Sequence, residues 1–224
     1  MPELPEIEIV KRSLLKKINK AKIIDIVIKN ENLRYKLPSN FIKDLVGEKI
    51  LKISRRSKYL IFNFKKKILL AHLGMSGKLL LIRSYDNAMF RTSFYYDLNI
   101  PKKHNHIYFK LSNDFILVYN DVRRFGFFKL YKNIPKNKIV FLEKLGIEPL
   151  SKKFSIKYFI QFTKNKNKNI KNLLMDQTFV SGLGNIYVNE ALFLSKIHPL
   201  RKCSNLKRKS IKSLIYNIVK VLKN

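Results

Sequence analysis

The chain has 224 residues, with 47 Lys plus Arg against 15 Asp plus Glu, a formal net charge of +32. Hydrophobic residues at 46% and aromatics at 12% can build a core, which argues against disorder. The single cysteine, Cys203, excludes a disulfide scaffold and any Cys-rich zinc finger, and no apolar run approaches the roughly 18 residues of a membrane span. The amino terminus opens with acidic residues rather than an apolar leader, so no membrane and a cytoplasmic location are expected. The charge calls for a polyanionic partner, nucleic acid before a membrane surface. Of the basic residues 37 are lysines, and Asn and Ile are also plentiful. Codon drift would give the same profile without adding any binding.

In chain order, Ile7, Val10, Leu14, Leu15 and Ile18 recur at helical spacing, which predicts an amphipathic helix over about Glu3–Lys20. Eight β-rich runs follow at 23–29, 50–54, 59–64, 68–72, 79–83, 107–111, 115–119 and 127–131. Turn residues separate them, as at Ser112-Asn113-Asp114, and Ser84–Lys103 reads as a longer connection. Short strands without long intervening helices predict a sandwich or barrel. The pattern turns helical beyond Lys132–Lys138, which puts a domain boundary at 133/134. Helices are expected around 156–160, 170–174, 186–195 and 206–222. The fold class is therefore α+β: a leading helix and β-sandwich over 1–133, then an all-α domain over 134–224. The Lys/Asn alternation over 164–171 reads as a solvated face.

Several residues invite chemistry. Removal of the initiator Met would leave Pro2 as a terminal secondary amine, whose reference pKa near 8 keeps part of it neutral and nucleophilic. Such an amine attacking an aldehyde-like carbon gives an iminium ion, an electron sink for elimination. Glu3 and Glu6 stand beside it as proton carriers, although Pro2 and Pro5 with acidic neighbours equally suit a helix start. Met75 lies on a loop after one strand, and Arg123, Arg124 and Phe125 lie on a loop after another. Such tips suit apolar wedging into a base stack, with a guanidinium for an unpaired base; core packing is the plainer reading of Met75 and Phe125. The Gly182-Leu-Gly-Asn185 loop opening a helix is a phosphate seat, or Asn185 is a helix cap.

Six motifs occur in one order: Pro2-Glu-Leu-Pro-Glu6, Arg55-Arg-Ser-Lys58-Tyr-Leu, His72-Leu-Gly-Met-Ser-Gly77, Asp121-Val-Arg-Arg-Phe-Gly126, Leu145-Gly-Ile-Glu-Pro-Leu150, and Met175-Asp-Gln with Gly182-Leu-Gly-Asn-Ile-Tyr-Val-Asn-Glu190. In that order and over most of its length, the sequence resembles the formamidopyrimidine-DNA glycosylases. The resemblance implies a β-sandwich domain followed by a helix–two-turn–helix domain. It also implies a monomeric bacterial enzyme of base-excision repair, nucleoid-associated, acting on duplex DNA with oxidised purines or abasic sites. By that resemblance Pro2 is the nucleophile at C1′ of a flipped nucleotide. Glu3 protonates the sugar ring oxygen or the base, and β- and δ-elimination follow. Lys58 assists at the lesion, Met75, Arg123 and Phe125 fill the void, and Glu6 shapes the pocket. His104, Arg124 and Asn185 hold phosphates, with Tyr187 and Lys171 as further contacts.

The family usually ends in a four-cysteine zinc finger, preceded by a loop that covers the lesion. One cysteine and four histidines without ligand spacing predict no metal and no other cofactor in these residues. Val122 stands where the family usually has proline. Two other functions remain open on the sequence: a lyase acting only on abasic sites, and a truncated, non-catalytic DNA-binding remnant.

Overall fold

The computed structural model describes residues 2–93, 101–164 and 166–223. It is α+β, and its contacts fall into two compact units. One holds Pro2 and the chain from Glu6 to Ile139; the other holds Glu3–Pro5 and the chain from Val140 onward. The units part after Ile139, a few residues beyond the 133/134 boundary read from the sequence.

Helix α1 (Leu4–Ile18) buries Ile7, Val10, Leu14 and Ile18, the stripe its periodicity predicts. It stops short of Lys20, whose φ of 68° leaves the helical region. The first unit then builds two antiparallel sheets. One has five strands, β1 (Ile23–Ile28), β7 (Asn105–Leu111), β8 (Phe115–Asn120), β5 (Lys78–Arg83) and β6 (Met89–Phe90), in that spatial order. The other has four: β2 (Lys52–Arg56), β3 (Tyr59–Asn63), β4 (Lys67–His72) and β9 (Phe127–Lys132). Rings from both sheets meet in the core, as Tyr119 of β8 packs edge-on against Phe128 of β9 with centroids 5.0 Å apart. This is the expected sandwich.

Several local details differ from the sequence reading. Ile50 exchanges backbone hydrogen bonds with Lys20 and Ala21, so the β2–β3 ladder begins only at Lys52 opposite Asn63. Strand β7 begins at Asn105, two residues early, through an irregularity between Asn105 and Ile107. Helix α2 (Phe41–Leu45) is too short for a period to show; Phe41 and Leu45 are buried and hold it. Part of the 84–103 connection pairs as β6, and residues 94–100 of it lie outside the described residues.

The second unit is helical: α3 (Val140–Glu143), α4 (Ile156–Thr163), α5 (Ile170–Met175), α6 (Asn185–Leu194) and α7 (Arg208–Lys223). Ser155 caps α4 through Tyr158 N, and Asn169 caps α5 through Asn172 N. Leu173, Leu174, Val188, Leu192, Leu214 and Ile218 share one core. Cys203 belongs to it, buried and donating its thiol to the Lys166 carbonyl at 3.3 Å. No helix among the described residues is long and apolar enough to cross a membrane.

Candidate active site and nucleic-acid interface

In the first unit the loops 72–77 and 121–126 pack backbone against backbone. A Cβ on Gly74 would lie 2.5 Å from Gly126 N, and one on Gly126 would lie 2.7 Å from the His72 carbonyl oxygen. Asp121, fully buried, ties the two loops together. Its carboxylate accepts from the Ser76 hydroxyl, from Tyr119 OH at 2.7 Å, from Gly126 N at 2.9 Å and from Arg123 N at 3.3 Å. This carboxylate holds the turn that carries Val122, itself exposed. The loops present Met75 and Phe125, 46% and 43% exposed, so neither is a core residue. Arg123 joins them: its Nη1 lies 3.2 Å from Met75 Sδ, and its guanidinium stands 4.4 Å from the Phe125 ring centre. Arg124 is exposed, in left-handed backbone with φ 56°.

His104, half-exposed in a single 3-10 turn (Lys102–His104), accepts from Asp121 N at 3.0 Å through its carbonyl. His106 is buried, its Nε2 2.7 Å from the Asp121 carbonyl oxygen. Lys58 is buried at 6% exposure in the β2–β3 turn, after Ser57 at φ 55°. Sequence reasoning missed what fixes that turn. Arg55 donates to Glu8 Oε2 at 3.0 Å and to the Ser57 carbonyl at 2.9 Å. Burial works against the Glu8 charge, but hydrogen bonds from Lys11, Arg55 and Arg12 hold its carboxyl down at about 2. Burial, with the charges of Lys58 and Arg34, holds His72 down at about 4, so it is neutral at pH 7 and its Nδ1 accepts from Gly74 N at 3.1 Å.

Both shifts lower a folded-state pKa, so both groups stabilise the fold at high pH and cease to as pH falls. His72 acts between 6.5 and about 4, Glu8 between 4.5 and about 2. The melting temperature should therefore drop on acidification in two stages, and Glu8→Gln should flatten the lower one. A Gln variant that loses as much between pH 4.5 and 2 as the parent would rule out Glu8 as the source.

In the second unit Glu3, 2% exposed, accepts from Ile186 N at 2.9 Å with Oε1. Helix α6 begins after Gly184, which offers no side-chain cap, and Asn185 is its first residue and exposed. Asn185 is therefore not the cap; the Glu3 carboxylate fills that role. Around it, Leu4 N donates to the Gly182 carbonyl at 3.1 Å, and Gln177 receives Gly182 N at 2.8 Å and donates to the Leu183 carbonyl at 2.9 Å. Gly182, at φ 107°, is where only glycine fits: a Cβ would meet Leu4 Cδ1 at 2.7 Å. Pro2 and Glu6 are half-buried at the start of α1, in the first unit, and Tyr187 and Lys171 are half-buried in the second.

Among the described residues no cluster of three or more His, Cys, Asp or Glu could hold a metal ion. Cys203, turned to a backbone carbonyl inside a helical core, does not fit a zinc-finger role.

Two family models match the chain: the formamidopyrimidine-DNA glycosylase N-terminal domain over residues 1–128, and the H2TH domain of the same glycosylases over 145–224. A Rickettsia felis formamidopyrimidine-DNA glycosylase is 40% identical over 224 residues, covering 99% of this chain and 76% of the relative. One from Bartonella tribocorum is 40% identical over 216 residues, covering 94% and 72%. Among solved structures, that of the Lactococcus lactis enzyme with DNA containing an oxidised pyrimidine is 37% identical, with a TM-score of 0.84, covering 99% of this chain and 79% of the other. The same enzyme bound non-covalently to abasic-site DNA matches with a TM-score of 0.84 and 37% identity, over 99% and 80%.

Proposed function

The chain belongs to the formamidopyrimidine-DNA glycosylase family, and from that premise we propose that it excises oxidised purines, formamidopyrimidine and 8-oxoguanine, from duplex DNA and then cleaves the abasic strand. The observation that supports this best is the exposed trio Met75, Arg123 and Phe125, held in mutual contact by a fully buried carboxylate. An apolar pair with a guanidinium can enter a base stack, fill the place of a flipped nucleotide and face the base left unpaired.

In this reading the Pro2 nitrogen attacks C1′ and the base departs with its bonding electrons and a proton. Glu3 supplies a proton to the sugar ring oxygen or to the base. Ring opening leaves an iminium ion between C1′ and the proline nitrogen. Loss of a C2′ proton expels the 3′ phosphate, a second elimination expels the 5′ phosphate, and water frees the proline. Lys58, sequestered in its turn, serves at the lesion; Glu6 shapes the pocket. Arg124, His104 and Asn185 hold backbone phosphates, consistent with their exposure. Acting on chromosomal DNA, the protein works as a monomer in the bacterial cytoplasm, at the nucleoid.

Borohydride reduction tests the covalent step. Incubated with an 8-oxoguanine·C duplex and with an abasic duplex, the protein should give a trapped adduct on both, and Pro2→Gly should lose most of it. An adduct on the abasic duplex alone would replace this reading with an abasic-site lyase. Binding without any adduct would leave only a non-catalytic DNA-binding protein. For the wedge, Phe125→Ala should slow lesion excision from a paired duplex about tenfold or more, since unstacking costs a few kcal/mol. The rate on a preformed abasic site should change less. Equal losses on the two substrates would remove Phe125 from the flipping step.

A further inference from the structure

Beside the wedge the first unit has a cleft of about 630 Å³, lined by Asn32, Leu33, Arg34, Arg123, Arg124 and Phe125. The described lining residues carry three guanidiniums and no acid. Arg123 contacts Met75 and Phe125, and the Arg34 guanidinium stands 5.9 Å from the Tyr35 ring centre; Arg34 and Arg124 flank the open space. Arg34 lies on the segment 30–37, which is fixed rather than loose. Leu33 and Leu37 are buried beneath it, and their amides both donate to the Glu31 carbonyl, at 3.1 and 3.0 Å. Asn32 N donates to Asn30 Oδ1 at 2.8 Å. Arg34 N donates to the Gly126 carbonyl at 3.3 Å, joining this segment to the wedge loop. The acidic residue of the segment, Glu31, is paired with Lys36 at 2.8 Å, away from the cleft lining. Tyr35 next to Arg34 packs edge-on against Phe127 at 5.0 Å, with the Lys129 ammonium 4.5 Å from its ring centre.

We infer that this cleft seats a backbone phosphate of the duplex beside the wedge, with Arg34 as a ligand alongside Arg124. The inference rests on the glycosylase reading given above. Two guanidiniums in a cleft whose described lining carries no acid suit the forked recognition of a phosphodiester. Such a contact positions the duplex without reading its sequence. Because its backbone is bonded to the wedge loop, a phosphate held by Arg34 fixes the register at which Met75, Arg123 and Phe125 meet the base stack.

The test is equilibrium binding of a duplex carrying a tetrahydrofuran abasic analogue, which cannot be excised, measured across a range of salt. Arg34 is exposed, so Arg34→Ala should fold as the parent does, checked by its melting temperature. It should bind about tenfold more weakly, the scale of one charge-assisted hydrogen bond. The slope of log affinity against log salt should shrink by about 0.9, the share of one phosphate. Duplexes with a neutral methylphosphonate placed at successive positions on either strand then locate the contact. On one of them Arg34→Ala should cause no further loss, and that position names the phosphate and the strand. Unchanged affinity and slope in the variant, or an equal further loss on every methylphosphonate duplex, would overturn the inference. A parent protein that fails to prefer the analogue over undamaged duplex would instead overturn the glycosylase reading.

Discussion

Replacing Glu3 by glutamine should reduce excision of 8-oxoguanine by roughly 10²- to 10⁴-fold, the usual contribution of a positioned acid or base. The structure makes this substitution informative because it separates folding from chemistry. Glu3 is buried, and one of its oxygens receives Ile186 N at the start of α6 at 2.9 Å. A glutamine oxygen can accept the same hydrogen bond, so the helix keeps its cap. What the amide lacks is a proton to give. Schiff-base formation on a ready-made abasic site has no base to expel, so trapping on that substrate should fall far less. Glu3→Ala should lose the cap as well, at about 1 kcal/mol of stability. Gly184→Ala reaches the same carboxylate from the other side, since a Cβ there would lie 2.3 Å from Glu3 Cδ. It should slow excision by moving Glu3 rather than by removing it. Single-turnover rates on both substrates, with melting temperatures, make the comparison. A Gln variant that excises at the parental rate would remove Glu3 from the proton transfer.

What the sequence displayed was local. The stripe of Ile7, Val10, Leu14 and Ile18 announces α1, and short β-rich apolar runs announce most of both sheets, because burial selects apolar residues among near neighbours in sequence. Met75, Arg123 and Phe125 were legible as loop-tip residues, since a turn between strands exposes what it carries. The parts that hold them were not. Asp121 meets Ser76 across 45 residues of chain, Arg55 meets Glu8 across 47, and Ile186 meets Glu3 across 183. No periodicity encodes such side-chain pairings. Asn185 shows the same limit from the other direction. An Asn beside a glycine loop at a helix start is an ordinary cap signal, yet a distant carboxylate occupies the position and leaves Asn185 exposed. Arg34 drew no attention at all, because its neighbours in sequence are unremarkable and only the fold sets it beside Arg123 and Arg124. The +32 charge likewise marked a polyanion without saying where it sits.

Asp121→Ala should be the most damaging single change to the wedge. Four donors converge on this fully buried carboxylate, and two of them, Tyr119 OH and Gly126 N, are themselves buried. Removing the acceptor takes a charge-assisted hydrogen bond from each, at about 1.5–3 kcal/mol apiece, so a loss of about 3 kcal/mol is expected. For a chain of this length that corresponds to roughly 6–12 °C in melting temperature. Asp121→Asn should fall between. The hydroxyls of Tyr119 and Ser76 can rotate to accept from the new amide, while the Gly126 and Arg123 amides can only donate and must compete for one oxygen. Function should follow the loop rather than the chemistry. Without the carboxylate Gly126 N loses its acceptor and Arg123 N keeps only the Ser76 hydroxyl oxygen, 3.1 Å away, which is itself no longer tied to Asp121, so Arg123 and Phe125 lose their place beside Met75. Excision from a paired 8-oxoguanine duplex should then drop further than the borohydride adduct on an abasic duplex does. Parallel losses on the two substrates would mean that Asp121 supports the fold alone, and an Ala variant with parental melting and excision would show that the two loops hold each other without it.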